Sequence, residues 1–207
     1  MFLLHLPGTV LLSVLDTLNK WDHWLFFKIN TAWTASWLDA IYPWWRESTT
    51  WLPLYLFLIL FLLINFGWKS FTWIAGISLT ITVSDQLSST LIKNDVARLR
   101  PCQDPLMEGH VRMLLNHCSG GYSFTSSHAT NHFAAAFFIF GTLKPFFKNR
   151  TYLFFVWAAT ISYGQVYVGV HYPLDIICGG IIGSIIGIIM ASIYNRRIGL
   201  PSLKFEL

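Results

Sequence analysis

Long apolar runs separated by short polar segments dominate the chain from residue 48 onwards. Residues 48–68 contain no charged side chain, and residues 70–92 contain one, Asp85. Three further stretches also lack Asp, Glu, Lys and Arg, namely residues 129–143, 151–174 and 176–195. A helix needs about 20 mainly apolar residues to cross a bilayer. The pattern therefore predicts five membrane-spanning helices, the third of which must begin near His128.

The first 47 residues follow a different pattern, because Pro7, Gly8 and Asp16 interrupt their apolar run. Seven of the ten Trp residues of the chain lie in the first 51 positions. Indole rings favour the headgroup level of a bilayer, where one edge meets polar groups and the body stays apolar. We predict helices that lie at the membrane interface in residues 1–47, with a sixth span at the N-terminus as the alternative.

Composition supports a membrane protein made of one domain. Of 207 residues, 54% are hydrophobic and 12% are charged, about half the charged share that is usual in soluble domains. The mean hydropathy is +0.51. The net charge of +4 arises from basic residues scattered among the loops, so it predicts no nucleic-acid partner. The expected fold is an all-α integral membrane bundle (48–195) that follows the interfacial region 1–47 and precedes a cytoplasmic tail (196–207).

Three polar clusters lie at the ends of the predicted spans, all on one side of the bundle. They are Lys93 with Arg100, Ser126 and Ser127 with His128, and His171 with Asp175. Each alone has an ordinary explanation, since basic residues anchor helix ends and an acid after a proline caps a helix. Together they supply a nucleophile with an orienting carboxylate, a second proton-transfer group and cations for a phosphate.

These residues resemble the three motifs of the type 2 phosphatidic acid phosphatases, the lipid phosphate phosphatase superfamily. The motifs run K-x6-RP, PSGH and SR-x5-H-x3-D. The chain matches them as Lys93-x6-Arg100-Pro101, as Thr125-Ser126-Ser127-His128, and as Gly164-Gln165-x5-His171-x3-Asp175. The first match is complete, the second keeps the serine and the histidine, and the third lacks the serine and the arginine. The resemblance covers roughly residues 50–195 in motif order and in placement along the spans.

The resemblance implies a role for each matched residue. His171 is expected to attack phosphorus, Asp175 to orient its imidazole, and His128 to protonate the leaving group and then activate water. The phosphate is expected to contact five positions: Lys93, Arg100, Ser126, the backbone N–H of Ser127, and Gln165. No metal or cofactor is implied. Because Gln165 stands where the family has arginine, a nearby cation such as Arg98 or Arg112 could also reach the phosphate.

Other residues of the same region have more ordinary expected roles. His132 is expected to pack beside the site or to support it, and Asp85 to be a buried hydrogen-bond partner. Gly179, Gly183 and Gly187 follow a small-xxx-small spacing that allows close helix packing, which we expect within the bundle rather than in a dimer. The oligomeric state stays open.

The basic residues and the cysteines bear on orientation. Each side of the five-span bundle receives seven Lys or Arg residues, but setting aside Lys93 and Arg100 as anion ligands leaves five on their side. The C-terminus is then cytoplasmic, and Cys102 and Cys118 share an outer loop. An oxidising compartment would allow a disulfide between them, with two unpaired thiols as the alternative.

The sequence thus predicts an enzyme that hydrolyses a lipid phosphate or diphosphate at the outer face of a bacterial cytoplasmic membrane. Its partners would be that substrate and the surrounding membrane lipids, and undecaprenyl diphosphate is the first substrate expected. Two alternatives are a phosphotransferase that passes the phosphoryl group from His171 to a second lipid, and a catalytically silent lipid-binding or transport protein.

Overall fold

The computed structural model describes residues 8–201 and shows only helices and loops within that range. The α-helices are α1 (Gly8–Phe27), α2 (Ser36–Trp45), α3 (Leu52–Phe66), α4 (Lys69–Gln86), α5 (Lys93–Val96), α6 (Ser127–Phe147), α7 (Leu153–Tyr167) and α8 (Pro173–Arg197). Two π-helical segments, Lys28–Ala32 and Leu87–Ile92, continue α1 and α4. Short 3₁₀ turns are Ser48–Trp51, Pro101–Gln103, Pro105–Met107 and Lys148–Tyr152. The ends of the predicted interfacial region and tail, residues 1–7 and 202–207, lie outside the described residues.

Helices α3, α4, α6, α7 and α8 occupy the five runs that the apolar pattern identified. Among the described residues, two helical stretches are long and apolar enough to be candidate spans by length and composition, Ser48–Phe66 and Pro173–Arg197. The α-helix of α7 has only 15 residues, about 22 Å at 1.5 Å per residue. The all-α prediction is therefore confirmed for residues 8–201, while the number of spans stays a prediction.

Helices α6 and α8 pack with their backbones in direct contact. A Cβ atom added to Gly183 would lie 2.1 Å from the carbonyl oxygen of Thr130, and one on Gly187 would lie 2.4 Å from that of Ala134. No other residue fits at such a distance, so the glycine spacing serves packing within the bundle. The same pair of helices brings the second and third polar clusters together, since the Ser126 N–H donates to the Asp175 carbonyl (3.1 Å).

The opposite face of α8 carries a row of exposed isoleucines. Their exposed fractions lie between 42% and 56%, and they are Ile177, Ile181, Ile185, Ile188, Ile189 and Ile193. A contiguous apolar row of this length is rare on a water-facing surface, whereas a helix that faces lipid carries it without cost. The two faces of α8 thus fit a helix between a protein bundle and acyl chains.

The N-terminal helices are packed into the polar end of the bundle. Phe26 of α1 and Tyr172 in the loop before α8 are both buried, and their rings lie 5.5 Å apart. The buried Asn30 side chain donates to the carbonyl oxygens of Arg112 and Tyr167, each at 2.9 Å. Residues from the predicted interfacial region therefore help to build the end of the molecule that carries the three polar clusters.

Candidate active site

His171 lies in the short loop between α7 and α8, with 2% of its surface exposed. Its Nδ1 atom is 3.4 Å from Asp175 Oδ2 and 3.3 Å from Ser123 Oγ. Its Nε2 atom is 3.0 Å from Nη1 of Arg100. A guanidinium group can only donate, so Nε2 must be the acceptor and the ring proton must sit on Nδ1. The network therefore assigns a tautomer whose Nε2 lone pair faces the cationic side of the site.

Asp175 lies in the first turn of α8 and is fully buried. Its Oδ2 atom accepts hydrogen bonds from the Tyr172 N–H (2.8 Å) and from the Ser123 hydroxyl. The bond from Tyr172 belongs to the N-terminal cap of α8. Asp175 thus caps the N-terminus of α8 and also contacts the imidazole, so its carboxylate is fixed relative to Nδ1 of His171.

A single arginine joins Asp175 to the N-terminal helix. Arg98 Nη1 lies 2.8 Å from Asp175 Oδ1, and its Nη2 lies 2.5 Å from Asp22 Oδ2. Asp22, on α1, is fully buried and also accepts from the Leu174 N–H (2.7 Å). The guanidinium lies over the Tyr172 ring, 3.9 Å from its centroid. The hydrogen-bond network around His171 therefore crosses the predicted boundary between the interfacial region 1–47 and the bundle 48–195.

Arg100 is held by backbone carbonyls as well as by His171. Its Nη1 donates to the Val170 carbonyl (3.0 Å) and its Nε to that of Gly121 (3.1 Å). A disulfide joins Cys102 to Cys118, with Cα atoms 5.9 Å apart, in the loop that connects Arg100 to Gly121. The loop is thus closed on itself beside the guanidinium, which restricts where Arg100 can move.

Burial sets the charge of two residues in this region that lie outside the predicted spans. It lowers the pKa of His171 to about 4, against the opposing effect of Asp175, so the imidazole is neutral at neutral pH. Burial and the charge of Arg100 lower the pKa of Lys93 to about 8. The neutral histidine is the form that a nucleophile requires, and Lys93 stays largely protonated at pH 7.

The second motif lies at the N-terminus of α6. Ser126 is the fully buried N-cap, its hydroxyl accepting from the Ala129 N–H at 3.4 Å, and the Ser127 hydroxyl pairs with that of Ser89 at 2.8 Å. Ser126 accepts through its oxygen and keeps a hydroxyl proton that it can donate, so the contacts of Ser126 and of the Ser127 N–H with a phosphate stay predictions. His128 lies in the first turn of α6, directly after these two serines.

His132 and Asp85 lie beside the site. The His132 Nδ1 atom donates to the His128 carbonyl (2.7 Å), and its ring meets the Trp157 ring at a centroid distance of 4.8 Å. Asp85 accepts from Asn131 Nδ2 at 2.9 Å. These contacts agree with the supporting roles expected for both residues. Between residues 8 and 201, no group of three or more His, Cys, Asp or Glu side chains is arranged to bind a metal ion.

Gln165, at the position of the family arginine, is 1% exposed, and its Nε2 finds no acceptor among residues 8–201. The two cations expected to compensate are engaged elsewhere. Arg98 bridges two carboxylates, and Arg112 binds Asp39 Oδ1 (2.7 Å) and the Asn30 carbonyl (2.8 Å). Both cations are paired with acids, although Nη2 of Arg112 is buried and has no acceptor among residues 8–201, so a contact of either one with the phosphate stays a prediction.

Sequence reasoning missed three residues that touch or flank the histidine network. Ser123 lies only three positions before Ser126, in a polar run that also carries other serines. Asp22 is an acid inside an apolar, Trp-rich segment, which is a signal of a buried partner. Arg46 is 5% exposed and its charge interacts with His128 and Arg100, yet nothing in the motif spacing connects it with them.

Comparison with known proteins decides the family. Residues 71–198 match the PAP2 superfamily. The chain belongs to the PAP2 superfamily. The family prediction made from the three motifs is thus confirmed. The lipid A 4'-phosphatase of Bacteroides thetaiotaomicron is 33% identical over 175 residues, covering 82% of this chain and 75% of that protein. The lipid A 4'-phosphatase of Porphyromonas gingivalis is 31% identical over 160 residues, covering 76% and 66%.

Two solved structures have folds similar to that of this chain. Aquifex aeolicus LpxE aligns with a TM-score of 0.59 and 28% identity, over 81% of this chain and 93% of that one. A transmembrane PAP2-type phosphatidylglycerolphosphate phosphatase from Bacillus subtilis aligns with a TM-score of 0.64 over 88% of both chains. The second is 20% identical and shows the fold alone. This chain therefore shares the helical fold of a protein described as transmembrane, while its own number of spans stays a prediction.

Proposed function

We propose that this chain hydrolyses the 4'-phosphate of lipid A by way of a phospho-histidine at His171, at the outer face of the bacterial cytoplasmic membrane. The coarser conclusion, a phosphatase that acts on membrane lipids, is confirmed by the family and by the names of the curated relatives. One observation carries the finer mechanism: the hydrogen bonds of His171 place its proton on Nδ1 and its lone pair on Nε2.

The first step transfers the phosphoryl group to the protein. Nε2 of His171 attacks phosphorus in line with the leaving lipid oxygen, so that an N–P bond forms while the P–O bond to the lipid breaks. His128 donates its proton to the departing oxygen, which leaves as the lipid hydroxyl. Asp175 stabilises the positive charge that develops on the imidazole. The Nη1 group of Arg100, which donates to Nε2 of His171 in this structure, then donates to the phosphate oxygens instead.

The second step releases phosphate. His128, now neutral, takes a proton from a water molecule whose oxygen attacks phosphorus, and the N–P bond to His171 breaks as inorganic phosphate leaves. Charge spreads over three phosphoryl oxygens throughout, so fixed donors contribute most of the rate enhancement. We assign this role to Lys93, Arg100, the Ser126 hydroxyl and the N–H groups at the start of α6.

A lipid substrate agrees with an apolar cavity beside the site. The cavity has a volume of about 350 Å³ and lies between α3, α4, α6 and α7, with Leu58, Ile77 and Trp157 among its lining residues. His132 also lines it, one helical turn after His128. An acyl chain that enters from the bilayer would therefore end next to the phosphate-binding groups.

The choice of lipid rests on the two curated relatives, both named lipid A 4'-phosphatases. The assay is phosphate release by purified protein in detergent, with lipid A, undecaprenyl diphosphate, phosphatidic acid and phosphatidylglycerol phosphate as substrates. We expect the highest kcat/KM on lipid A, with loss of the 4' phosphorus signal in ³¹P NMR. A higher kcat/KM on undecaprenyl diphosphate would replace lipid A by the substrate first expected, and a phosphorylated lipid acceptor would indicate a phosphotransferase.

The outer location is supported by the disulfide between Cys102 and Cys118, since disulfides persist in oxidising compartments. Mass spectrometry of non-reduced peptides from membranes prepared with a thiol-blocking reagent tests it. We expect the linked peptide pair. Two alkylated thiols at these positions would contradict an outer, oxidised loop.

A further inference from the structure

The two departures from the third motif, Gly164 and Gln165, lie where α2 packs against α7. A Cβ atom added to Gly164 would lie 2.8 Å from Cδ1 of Tyr42 and 3.4 Å from Cβ of Arg46. Atoms do not approach that closely without a shift of the neighbour, so the family serine would not fit while α2 stays in place. Because position 164 has no side chain, α2 can pack directly against α7 at the residue before Gln165.

Arg46 is brought to this place as the residue that caps the C-terminus of α2. Its side chain is buried, with 6% exposed, and its Nη2 lies 3.0 Å from Oε1 of Glu47. Its Nε is buried as well and finds no acceptor among residues 8–201. A buried guanidinium with an unpaired donor is costly unless an anion completes it, and Glu47, whose side chain is 46% exposed, engages only one nitrogen.

The surroundings of Arg46 belong to the active site. The charge of Arg46 acts on both His128 and Arg100, so its guanidinium lies within electrostatic range of these two residues. Gln165, which follows Gly164, contributes a second buried donor without an acceptor in the same described part of the chain. Arg46, which Glu47 pairs at one nitrogen, and Gln165 each keep a buried donor without an acceptor among residues 8–201, and such donors suit a group with several anionic oxygens.

We propose that Arg46 binds the substrate phosphate in place of the arginine that the family motif carries at the position of Gln165. In this arrangement the cation reaches the phosphate from α2 rather than from α7, and Gly164 provides the space for it. The inference rests on the proposed function only for the identity of the lipid, because any phosphate or phosphate-like oxyanion bound at His171 would engage the same guanidinium.

The decisive test moves the guanidinium group from position 46 to position 165. Arg46→Met keeps the aliphatic stem and removes the charge, and the double variant Arg46→Met with Gln165→Arg returns a guanidinium from α7. Arg150, exposed in the turn between α6 and α7, gives the matched control Arg150→Met. Each purified variant is measured for kcat/KM on lipid A, for affinity toward orthovanadate by titration calorimetry, and for thermal unfolding in the same detergent.

Arg46→Met should lower kcat/KM on the order of 10²-fold, as the loss of one oxyanion donor does elsewhere. We expect vanadate affinity to fall at least about tenfold, with Arg150→Met equal to the parent. The double variant should regain most of that affinity. An Arg46→Met variant within about threefold of the parent for vanadate, or a double variant no better than the single one, would overturn the inference.

The vanadate series separates this inference from the proposed function. A parent that releases phosphate from none of the four lipids but binds vanadate defeats the proposed function, and Arg46 is then judged on vanadate affinity alone. A parent that binds no vanadate overturns the inference. Should Arg46→Met fail to fold, Arg46→Lys replaces it: a loss of vanadate affinity of about fivefold is expected because an ammonium lacks the two-pronged fork, and an unchanged affinity overturns the inference.

Discussion

The two sides of the His171 imidazole differ in how completely their polar groups are paired. On the Nδ1 side, Asp175 receives donors from Arg98, Ser123 and Tyr172, and Arg98 is itself neutralised by a second acid. On the Nε2 side Arg100 contacts the imidazole, and at the phosphate site that we propose for this side two buried nitrogens, Nε of Arg46 and Nε2 of Gln165, have no acceptor among residues 8–201. The polar groups on the Nδ1 side are thus paired within the protein, whereas the unpaired donors assigned to the Nε2 side suit an anionic ligand.

We infer that the paired side orients the imidazole and that the side with unpaired donors binds the substrate phosphate. A fully paired network holds its groups in one geometry, so the Nδ1 side fixes the tautomer and the direction of the imidazole. Donors that are fixed but unpaired cost free energy in the empty site and are satisfied when charge develops on the phosphate oxygens. We therefore expect substitutions on the Nδ1 side to change kcat chiefly, and substitutions on the Nε2 side to change oxyanion affinity as well.

The largest effect should come from the two histidines. His171→Ala should lower kcat by on the order of 10⁴ to 10⁶, as the loss of a nucleophile does in other covalent mechanisms. His128→Ala should lower it by on the order of 10² to 10⁴ through the loss of acid–base catalysis, while vanadate still binds. Steady-state phosphate release and calorimetry measure both. Excess EDTA should leave the parent active, and activity lost to EDTA and restored by a metal would contradict the mechanism.

A smaller loss should follow from damage to the orienting side. Asp175→Asn keeps the shape of the side chain but removes the charge that stabilises the imidazolium and fixes its tautomer, so kcat should fall on the order of 10² to 10⁴. Ser123→Ala leaves the carboxylate with its other partners and should cost about tenfold or less. Vanadate affinity is the second readout. A tenfold loss of vanadate affinity in Ser123→Ala, with kcat unchanged, would reverse the assignment of the two sides.

On the side proposed to bind phosphate, removal of a cation should lower kcat/KM more than removal of the neutral amide. Lys93→Ala and Arg100→Ala each remove a charged donor, for which we expect losses of kcat/KM on the order of 10² to 10³. Gln165→Ala should cost less, about tenfold, because neutral donors are roughly half as strong as charge-assisted ones. Kinetics on the three variants and the parent test the order. A Gln165→Ala variant as active as the parent would show that this position does not touch the phosphate.

The smallest expected effect is a shift of the pH profile. The pKa of Lys93 is lowered to about 8 by burial and Arg100, so the free protein loses this charge as the pH rises through that value. A profile of kcat/KM reports the groups of the free enzyme and should fall on the alkaline side near pH 8. Lys93→Arg should move that fall to higher pH, because arginine stays protonated. The same alkaline limb in Lys93→Arg and the parent would assign it to another group.

The bundle and the core of the site could be predicted from sequence because both depend on local patterns. Apolar runs without charges identify the helices, and the spacing His171-x3-Asp175 keeps an imidazole and a carboxylate close together along the chain. Arg98 and Asp22 meet across 76 positions in the chain, and their pairing depends on how α1 docks. The Trp-rich N-terminal segment fits an interfacial helix as well as a docked one, so no local pattern could reveal that Asp22 and Arg46 approach the histidines.

Direct detection of the phospho-histidine tests the central claim most sharply. The parent protein is mixed with excess lipid substrate and stopped during turnover, because His128→Ala would slow formation of the N–P bond as well as its hydrolysis. The reaction is quenched in alkali, where an N–P bond survives, and the digested protein is sequenced by mass spectrometry. We predict phosphate on His171 in the parent and none in His171→Ala. Phosphate on any other residue, or steady turnover by His171→Ala, would contradict the account.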